Sequence, residues 1–393
     1  MKNLFLPTLL AAILFNSSIT LAQTCNFPPV ERLKIGSEIS TFVYDFWVFS
    51  KDNLKKDFKK FPFVLDGDGP VVGDYHFNNV GAYYNYNESK KTGKVEMAVI
   101  DMDDSGSGNQ FGDLIKLLLY VKSEFKDDSL TELALEHYVS GLEKKAGDVM
   151  PKLDDKLAGK LEDLKAILAL SKSDFDLMNQ TYATKKMKGN KFDKDWGLKD
   201  LSKLDSNRKS DEEKGRKYIE KLGKILDSGF RINESGSSIG AYRFVYLVET
   251  KDKIKVKKDD EPVYKIVELK ENNCPGTVKY ADQENQVDRF KSNRKNLQSE
   301  DFWKEAKVVD LGHITYLLRV KQANPLEKLK KDDKNLKAYT AFFAYTLGRI
   351  HAPTAHASYV NGLTKNKSEK TFVKATEEFV NEYHKYLAKR TKK

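Results

Sequence analysis

Hydrophobic and polar positions follow a helical period at both ends of the chain and a strand-like period in between. Residues 36–65, 113–121 and 338–350 are predicted helices, and Ser129 with Glu132 forms a capping box that opens a further helix. The last helix is predicted to be amphipathic. Its apolar face consists of Phe372, Thr376, Phe379, Val380, Tyr383 and Leu387.

The middle of the chain is rich in β-branched and aromatic residues. Ala241–Val248 and Val263–Lys270 are predicted to be antiparallel strands joined by a charged loop, residues 251–260. The other predicted elements are strands at 95–100 and 314–320, a turn cluster at 101–109, a helix near 280–297 and a largely helical, Lys/Asp-rich segment at 150–222.

This order predicts an α+β protein with a small antiparallel β lobe and a larger helical lobe. After a signal peptide at residues 1–22, residues 23–225 form the first part of the helical lobe. Residues 226–322 form the β-rich segment, and residues 323–393 form the second part of the helical lobe. A two-layered arrangement of this kind buries one face of each element against another.

The N-terminus has the pattern of an export signal. Lys2 supplies a positive charge, residues 4–15 are apolar, and the small residues Thr20 and Ala22 precede a cleavage site before Gln23. The apolar stretch is too short to span a membrane comfortably. The sequence therefore predicts a periplasmic or secreted protein.

Composition narrows the class of protein further. Of 393 residues, 32% are charged and 40% are hydrophobic, which excludes a disordered chain. The net charge is +10, but the lysines are spread along the chain, so binding to nucleic acid is not indicated. The sequence has no run of 18 or more apolar residues, so we expect no integral membrane segment after signal cleavage. In an oxidising compartment Cys25 and Cys274 can form a disulfide or remain free thiols, and their spacing in the sequence does not decide between the two.

Two acidic motifs have the spacing of a phosphoryl-transfer site. Asp74 lies five residues before Asn79, and in such sites the aspartate orients the attacking hydroxyl while the asparagine amide binds Mg²⁺. A second carboxylate ligand is required, and Asp101 and Asp103 follow a predicted strand. The sequence therefore predicts Asp74 as catalytic and Asn79, Asp101 and Asp103 as metal ligands.

The phosphate-binding half is predicted later in the chain. A turn of Gly236, Ser237, Ser238 and Gly240 precedes a strand, where backbone N–H groups can face phosphate. Lys270 ends the next strand, as does the phosphate-binding lysine of kinases. An acid on the following helix should hold this lysine, and the candidates are Glu284 and Asp288.

Together these motifs resemble the bacterial domain-of-unknown-function 2252 family, whose members look kinase-like and aminoglycoside-phosphotransferase-like. The resemblance covers roughly residues 40–390. It implies that Asp74 is the catalytic base, that Asp113 braces its loop with His76 as structural support, and that Lys270 binds phosphate. The matching segments are Gly73–Gly81, Asp101–Asp104, Phe111–Leu114, Gly236–Gly240, Val267–Glu271, Tyr316–Arg319 and Leu347–Ala352.

The order of the motifs differs from that of an ordinary kinase. The glycine turn and Lys270 follow the Asp74 loop instead of preceding it, and the helix ending at His351, which should lead into that loop, lies near the C-terminus. This order predicts a circular permutation, which is tolerated where chain ends lie close together.

The sequence therefore predicts an exported kinase-like protein that binds Mg²⁺ and ATP or another nucleotide, with an unidentified phosphoryl acceptor. One alternative is a catalytically inactive binding protein of the same fold. Another is a metal-dependent phosphoesterase that begins at Asp74 and His76, although the other histidines are isolated. A serine-hydrolase elbow at Gly236, Ser238 and Gly240 is disfavoured because a strand, not a helix, follows it.

Overall fold

The structure is a computed structural model, and it describes most of the chain. The predicted export signal, both cysteines, Glu284 and the turn residues Gly236, Ser237 and Ser238 lie outside the described residues. The described ranges are 43–87, 92–125, 130–143, 151–232, 240–256, 259–272, 286–297, 306–311, 314–323 and 335–390.

Within these ranges the protein is α+β, with small antiparallel sheets and a larger helical part. The helices are α1 (Val43–Asp57), α2 (Gln110–Phe125), α3 (Thr131–Glu143), α4 (Asp155–Gly159), α5 (Glu162–Leu168), α6 (Lys172–Thr184), α7 (Ser206–Ile219), α8 (Gln286–Asn296), α9 (Leu336–His351), α10 (Ala357–Asn366) and α11 (Lys370–Arg390). These bounds confirm the predicted α+β class and the predicted helices at both ends of the chain.

The strands are β1 (Asp68–Val71), β2 (Val80–Asn87), β3 (Thr92–Val99), β4 (Gly106–Asn109), β5 (Met187–Lys188), β6 (Lys191–Phe192), β7 (Lys224–Ile232), β8 (Tyr242–Val256), β9 (Asp259–Glu271), β10 (Lys307–Asp310) and β11 (Thr315–Lys321). The largest sheet has five antiparallel strands in the order β10-β11-β9-β8-β7, and two-stranded sheets pair β1 with β4, β2 with β3 and β5 with β6. The predicted antiparallel pairing of β8 with β9 is confirmed.

Alternation along β8 and β9 gives the large sheet two different faces. Phe244 pairs with Leu269 and Tyr246 with Val267, and these side chains form an apolar cluster with Ile219 of α7. Because side chains on a strand alternate between faces, the intervening positions of β9 point the other way. That second face carries buried charges, including Glu268 and Lys270.

The main hydrophobic core lies in the helical part and is rich in aromatic rings. The predicted apolar face of α11 is buried along its full length. Phe46 of α1, for example, packs edge-on against Tyr383 of α11, with ring centroids 5.2 Å apart. Such pairs add to the burial of apolar area that stabilises a core.

Two segments predicted as loop or turn are partly strand. Residues 251–260 lie largely in a long β8–β9 hairpin, because Lys253 and Lys255 alternate with Ile254 and Val256 and the strands stay paired as far as Val256. Residues 101–109 include β4, which pairs with β1. Strands β1 to β4 also give residues 23–225 more sheet than the predicted helical segment contains.

Among the described residues, no helix combines the length and the apolar character needed to cross a membrane.

Helices α3 and α9 pack closely against each other at Gly141 and Gly348. A Cβ atom on Gly348 would lie 2.1 Å from the carbonyl oxygen of Tyr138. Gly348→Ala should therefore push the helices apart and lower the free energy of unfolding by about 1–3 kcal/mol, measured by urea denaturation. Gly159→Ala is the matched control, since no atom lies within 4 Å of the added methyl group; equal losses in both variants would contradict the packing argument.

Candidate functional site

The β2–β3 hairpin brings the two acidic motifs of the sequence together. Val80 pairs with Val99 at the open end of the hairpin, and the backbone N–H of Ile100 donates to the carbonyl oxygen of Asn79 over 2.8 Å. Asn79 therefore lies opposite the residue that precedes Asp101. Neighbouring antiparallel strands lie about 5 Å apart, so the two motifs belong to one site.

Asp113, in the first turn of α2, holds the loop that carries Asp74, residues 72–76. The N–H groups of Val72 and Gly73 donate to its two carboxylate oxygens over 2.7 and 2.9 Å. Asn79 holds the same loop from the other side, because its Nδ2 donates to the carbonyl oxygen of Asp74 over 2.8 Å. Gly73 has a φ of 86°, a left-handed conformation that favours glycine.

Asp113 is itself held by the C-terminal end of α9. Nε2 of His351 lies 3.0 Å from Oδ2 of Asp113, and Nδ1 of His351 lies 2.8 Å from the hydroxyl of Tyr138. All three side chains are fully buried. The hydroxyl of Tyr75 also donates to the carbonyl oxygen of Phe343 on α9. The Asp74 loop is therefore fixed by a segment that is distant in sequence.

Two basic side chains contact the Asp74 carboxylate. Nζ of Lys116 on α2 lies 3.0 Å from Oδ1, and Nε2 of His76 lies 3.5 Å from Oδ2. Burial raises the pKa of Asp74, but the charges of Lys116 and His76 outweigh it and lower the pKa to about 2. Asp74 is thus an ionised hydrogen-bond acceptor at neutral pH.

The role of Lys116 as the partner of Asp74 is not among the predictions from the sequence, although the sequence contains a signal for it. It is the one charged residue in the run 114–121, which otherwise predicts a buried helix. A lysine that is 2% exposed must have a partner, because an unpaired buried charge is costly. An isolated charge in an apolar helix therefore points to a nearby carboxylate.

Lys270 of β9 reaches the second acidic motif. Its Nζ lies 3.1 Å from Oδ2 of Asp101 and also forms an ion pair with Asp103. Arg319 of β11 approaches the same carboxylate, with Nη1 3.5 Å from Oδ1 of Asp101. A residue of the large sheet therefore meets the end of the β2–β3 hairpin, although 169 positions separate Lys270 from Asp101.

The pKa values of the two carboxylates beside Lys270 are shifted in opposite directions. Burial raises the pKa of Asp101, but the charges of Lys270 and Arg319 outweigh it and hold the pKa well below its usual value. Burial and the negative charge of Asp101 raise the pKa of Asp103 to about 6. Neighbouring carboxylates of this kind are common in functional sites.

The donor set at this point fits Mg²⁺. Because Asn79 donates through Nδ2, its side-chain oxygen remains available as a ligand, and Asp101 supplies carboxylate oxygens. Oδ1 of Asp103 is buried and has no hydrogen-bond partner. Mg²⁺ is usually held by one or two carboxylates together with water and substrate phosphates. In the described part of the chain, no group of three His, Cys, Asp or Glu residues could hold a metal without such help.

The predicted phosphate-side residues are only partly described. Gly240 has a φ of 76° directly before β8. Asp288 is exposed on α8, whereas Lys270 is buried in the large sheet. Helix α8 contacts Ser105, which directly follows the acidic motif Asp101–Asp104. Arg289 donates a hydrogen bond to the carbonyl oxygen of Ser105, and Nδ2 of Asn293 lies 3.4 Å from Oγ of Ser105. Neither contact is predicted by the sequence pattern.

A cleft of about 500 Å³ lies between β2, α6 and the large sheet. Tyr83 and Tyr84 of β2 line it together with side chains of α6 and of the large sheet, including Ile266. Arg319 also lines the cleft and contacts Asp101, so this one side chain connects the wall of the cavity with the acidic motif. Aromatic and apolar walls with a few polar groups are typical of small-molecule sites.

A scan against protein-family models, a search of curated proteins and a search of solved structures each return no match. The family resemblance therefore stays a prediction from the motifs.

The Lys116–Asp74 pair yields a stability prediction. Lys116→Met should leave a buried carboxylate without its nearest cation and lower the free energy of unfolding by about 3–5 kcal/mol. Adding Asp74→Asn to this variant should restore much of the loss, because no unpaired charge then remains. Urea denaturation of both variants measures the difference; a double variant no more stable than Lys116→Met would contradict the pairing.

The Asp103 carboxyl yields a pH prediction. Its pKa in the folded protein is about 6, above the ordinary 3.8, so folding disfavours the ionised form. The penalty is absent below pH 3.8, grows as the pH rises and is complete above about 6, where it reaches about 3 kcal/mol.

Asp103→Asn should therefore stabilise the protein at pH 8 relative to pH 4.5, measured by urea denaturation at both values. Asp101→Asn is the matched control and should destabilise at pH 8, because the pKa of Asp101 is lowered. The same sign in both variants would refute the assignment.

Proposed function

We propose that the protein binds Mg²⁺ and a nucleotide in the manner of a kinase and transfers a phosphoryl group to an acceptor that is not yet identified. The observation that carries this proposal is the contact of Lys270 with Asp101 and Asp103 at the end of the β2–β3 hairpin. In kinases a strand lysine binds the nucleotide phosphates, and an aspartate beside it holds the metal.

Each described residue then has a role. Asp74 accepts the hydroxyl proton of the acceptor or orients the hydroxyl, and Asp113 fixes the loop that carries Asp74. Asn79 and Asp101 would hold Mg²⁺, which neutralises charge on the phosphates when it is bound. Lys270 would exchange its carboxylate partners for phosphate oxygens. The apolar side of the cleft, at Tyr83 and Ile266, would take the base.

Chain order and contacts support a permuted, two-lobed kinase-like arrangement. Lys270 lies on the third strand of the five-stranded sheet in chain order, and α8 follows it, as expected for a kinase lysine strand and its helix. The contact of His351 with Asp113 joins the C-terminal helix to the Asp74 loop. In an unpermuted chain that helix would run directly into the loop.

The predicted export of this protein bears on activity, because ATP is scarce outside the cytoplasm. The same site would serve a protein that has lost catalysis and keeps ligand binding. A metal-dependent phosphoesterase would instead hydrolyse a phosphate ester without nucleotide.

The nucleotide site is tested by thermal shift. ATP with Mg²⁺ should raise the melting temperature, since a ligand at one hundred times its Kd stabilises the folded state by about 2.7 kcal/mol. Asp101→Ala should abolish the Mg²⁺-dependent part of this shift, because it removes a proposed metal ligand.

Asp252→Ala is the control, as Asp252 is an exposed carboxylate that lines the same cleft. No shift with any nucleotide and metal would refute the proposal, and hydrolysis of a chromogenic phosphate ester without nucleotide would support the phosphoesterase instead. A shift without phosphoryl transfer would identify the inactive binding protein.

A further inference from the structure

Lys321, the last residue of β11, has no role in the proposed function. It lines the 500 Å³ cleft, and its side chain is 23% exposed. In the β9–β11 register it lies opposite Ile266, which lines the same cleft. A small molecule in the cleft can therefore reach the Lys321 side chain.

The ammonium nitrogen of Lys321 is not fixed by a hydrogen bond to its neighbouring carboxylate. It lies 3.7 Å from Oε2 of Glu268, which is beyond hydrogen-bond distance. Arg319 donates to the other oxygen of Glu268, Oε1, over 3.0 Å. Oε2 is buried and, within the described ranges, accepts no hydrogen bond. Glu268 therefore stabilises the charge on Lys321 less than a directly bonded carboxylate would.

Three arginines around the same carboxylate disfavour the charged form of Lys321. Nitrogen atoms of Arg231, Arg243 and Arg319 lie 3.5, 3.6 and 3.0 Å from the oxygens of Glu268. Although Glu268 favours the ammonium form, burial and these positive charges lower the pKa of Lys321 to about 8. At pH 7.4 about a fifth of the Lys321 side chains are then uncharged, against about 0.1% for a lysine with an ordinary pKa of about 10.4.

The carboxylates that line the cleft do not pair with Lys321. Asp176 of α6 forms an ion pair with Lys172, and Asp252 is exposed on β8. Among the described residues, neither forms an ion pair with Lys321, so Glu268 is its one carboxylate partner there. The remaining charged groups of the lining are all basic, namely Lys253, Lys265 and Arg319.

The rest of the lining suits an uncharged organic group. Tyr83, Phe175 and Ile266 contribute aromatic and aliphatic surface, and a volume of about 500 Å³ is in the usual range of small-molecule cavities. An uncharged lysine next to other cations is the nucleophile with which proteins form imines with carbonyl compounds. The amine and the apolar wall together favour a carbonyl ligand.

We propose that Lys321 is a covalent attachment site for an aldehyde or ketone with an aromatic or apolar body. The uncharged amine adds to the carbonyl carbon and gives a carbinolamine. Loss of water, which removes the carbonyl oxygen and both amine protons, then leaves the imine, so that no oxidant or reductant is required. When the imine takes up one proton, its N–H can donate to the free Oε2 of Glu268.

Aldehyde labelling tests this site. Salicylaldehyde is the probe, borohydride traps the imine, and peptide mass spectrometry measures the labelling rate at each lysine between pH 6 and pH 10. At pH 7.4 Lys321 should be labelled at least about tenfold faster than Lys253, an exposed lysine of the same cleft, and its labelling should have a midpoint near pH 8. Lys321→Arg, which keeps the positive charge, should lose the fast phase of total labelling.

The pH midpoint tests the role of the arginines. Arg231→Gln removes one cation beside Glu268 and should raise the Lys321 midpoint by about half a pH unit or more. Lys224→Gln, at an exposed lysine of the same strand, is the control and should leave the midpoint unchanged.

The proposal is refuted if Lys321 is labelled no faster than Lys253, or if its midpoint lies near about pH 10 or does not respond to Arg231→Gln. The imine requires neither Mg²⁺ nor a nucleotide. The Mg²⁺–ATP shift therefore tests the proposed function separately, and failure of either proposal leaves the other standing.

Discussion

The ion pairs of Lys270 with Asp101 and Asp103 are the constraint on which the candidate site depends. Lys270 is 2% exposed, so it needs a negative partner, and the described partners lie at the end of the β2–β3 hairpin. Removing one partner of a buried pair costs far more than a surface pair contributes. The large sheet and the β2–β3 hairpin are therefore held together at the candidate site.

The same arrangement recurs at the Asp74 loop, where a buried lysine on a helix meets a buried carboxylate. Lys116 and Lys270 are alike in burial, at 2% exposed each, and their ammonium groups lie 3.0 and 3.1 Å from Asp74 and Asp101. Both pairs are expensive to bury, and neither is needed to fill the apolar core. Sites that concentrate such costs usually serve binding or catalysis, since stability alone would favour apolar side chains.

How far the sequence predicts this protein depends on the range of each interaction. The apolar face of α11 and the pairing of β8 with β9 follow from local periodicity, and both are confirmed. The hairpin tip at 251–260 was mispredicted because its lysines suggested a loop, whereas strand pairing continues through them. The cations around Glu268 were missed because they come from four separate positions on three strands.

The sequence by itself determined the α+β class, the helices at both ends of the chain and the chemical types at Asp74, Asn79, Asp101 and Lys270, because periodicity and residue spacing are local properties. Only the tertiary structure decided which of these groups meet. It brought Lys270 into contact with Asp101, which is 169 positions away in the sequence. It also paired Asp74 with Lys116, which lies outside the motif that runs from Asp74 to Asn79. Such contacts are required by burial, because a charged side chain that is removed from water is stable only when the folded chain places an opposite charge next to it.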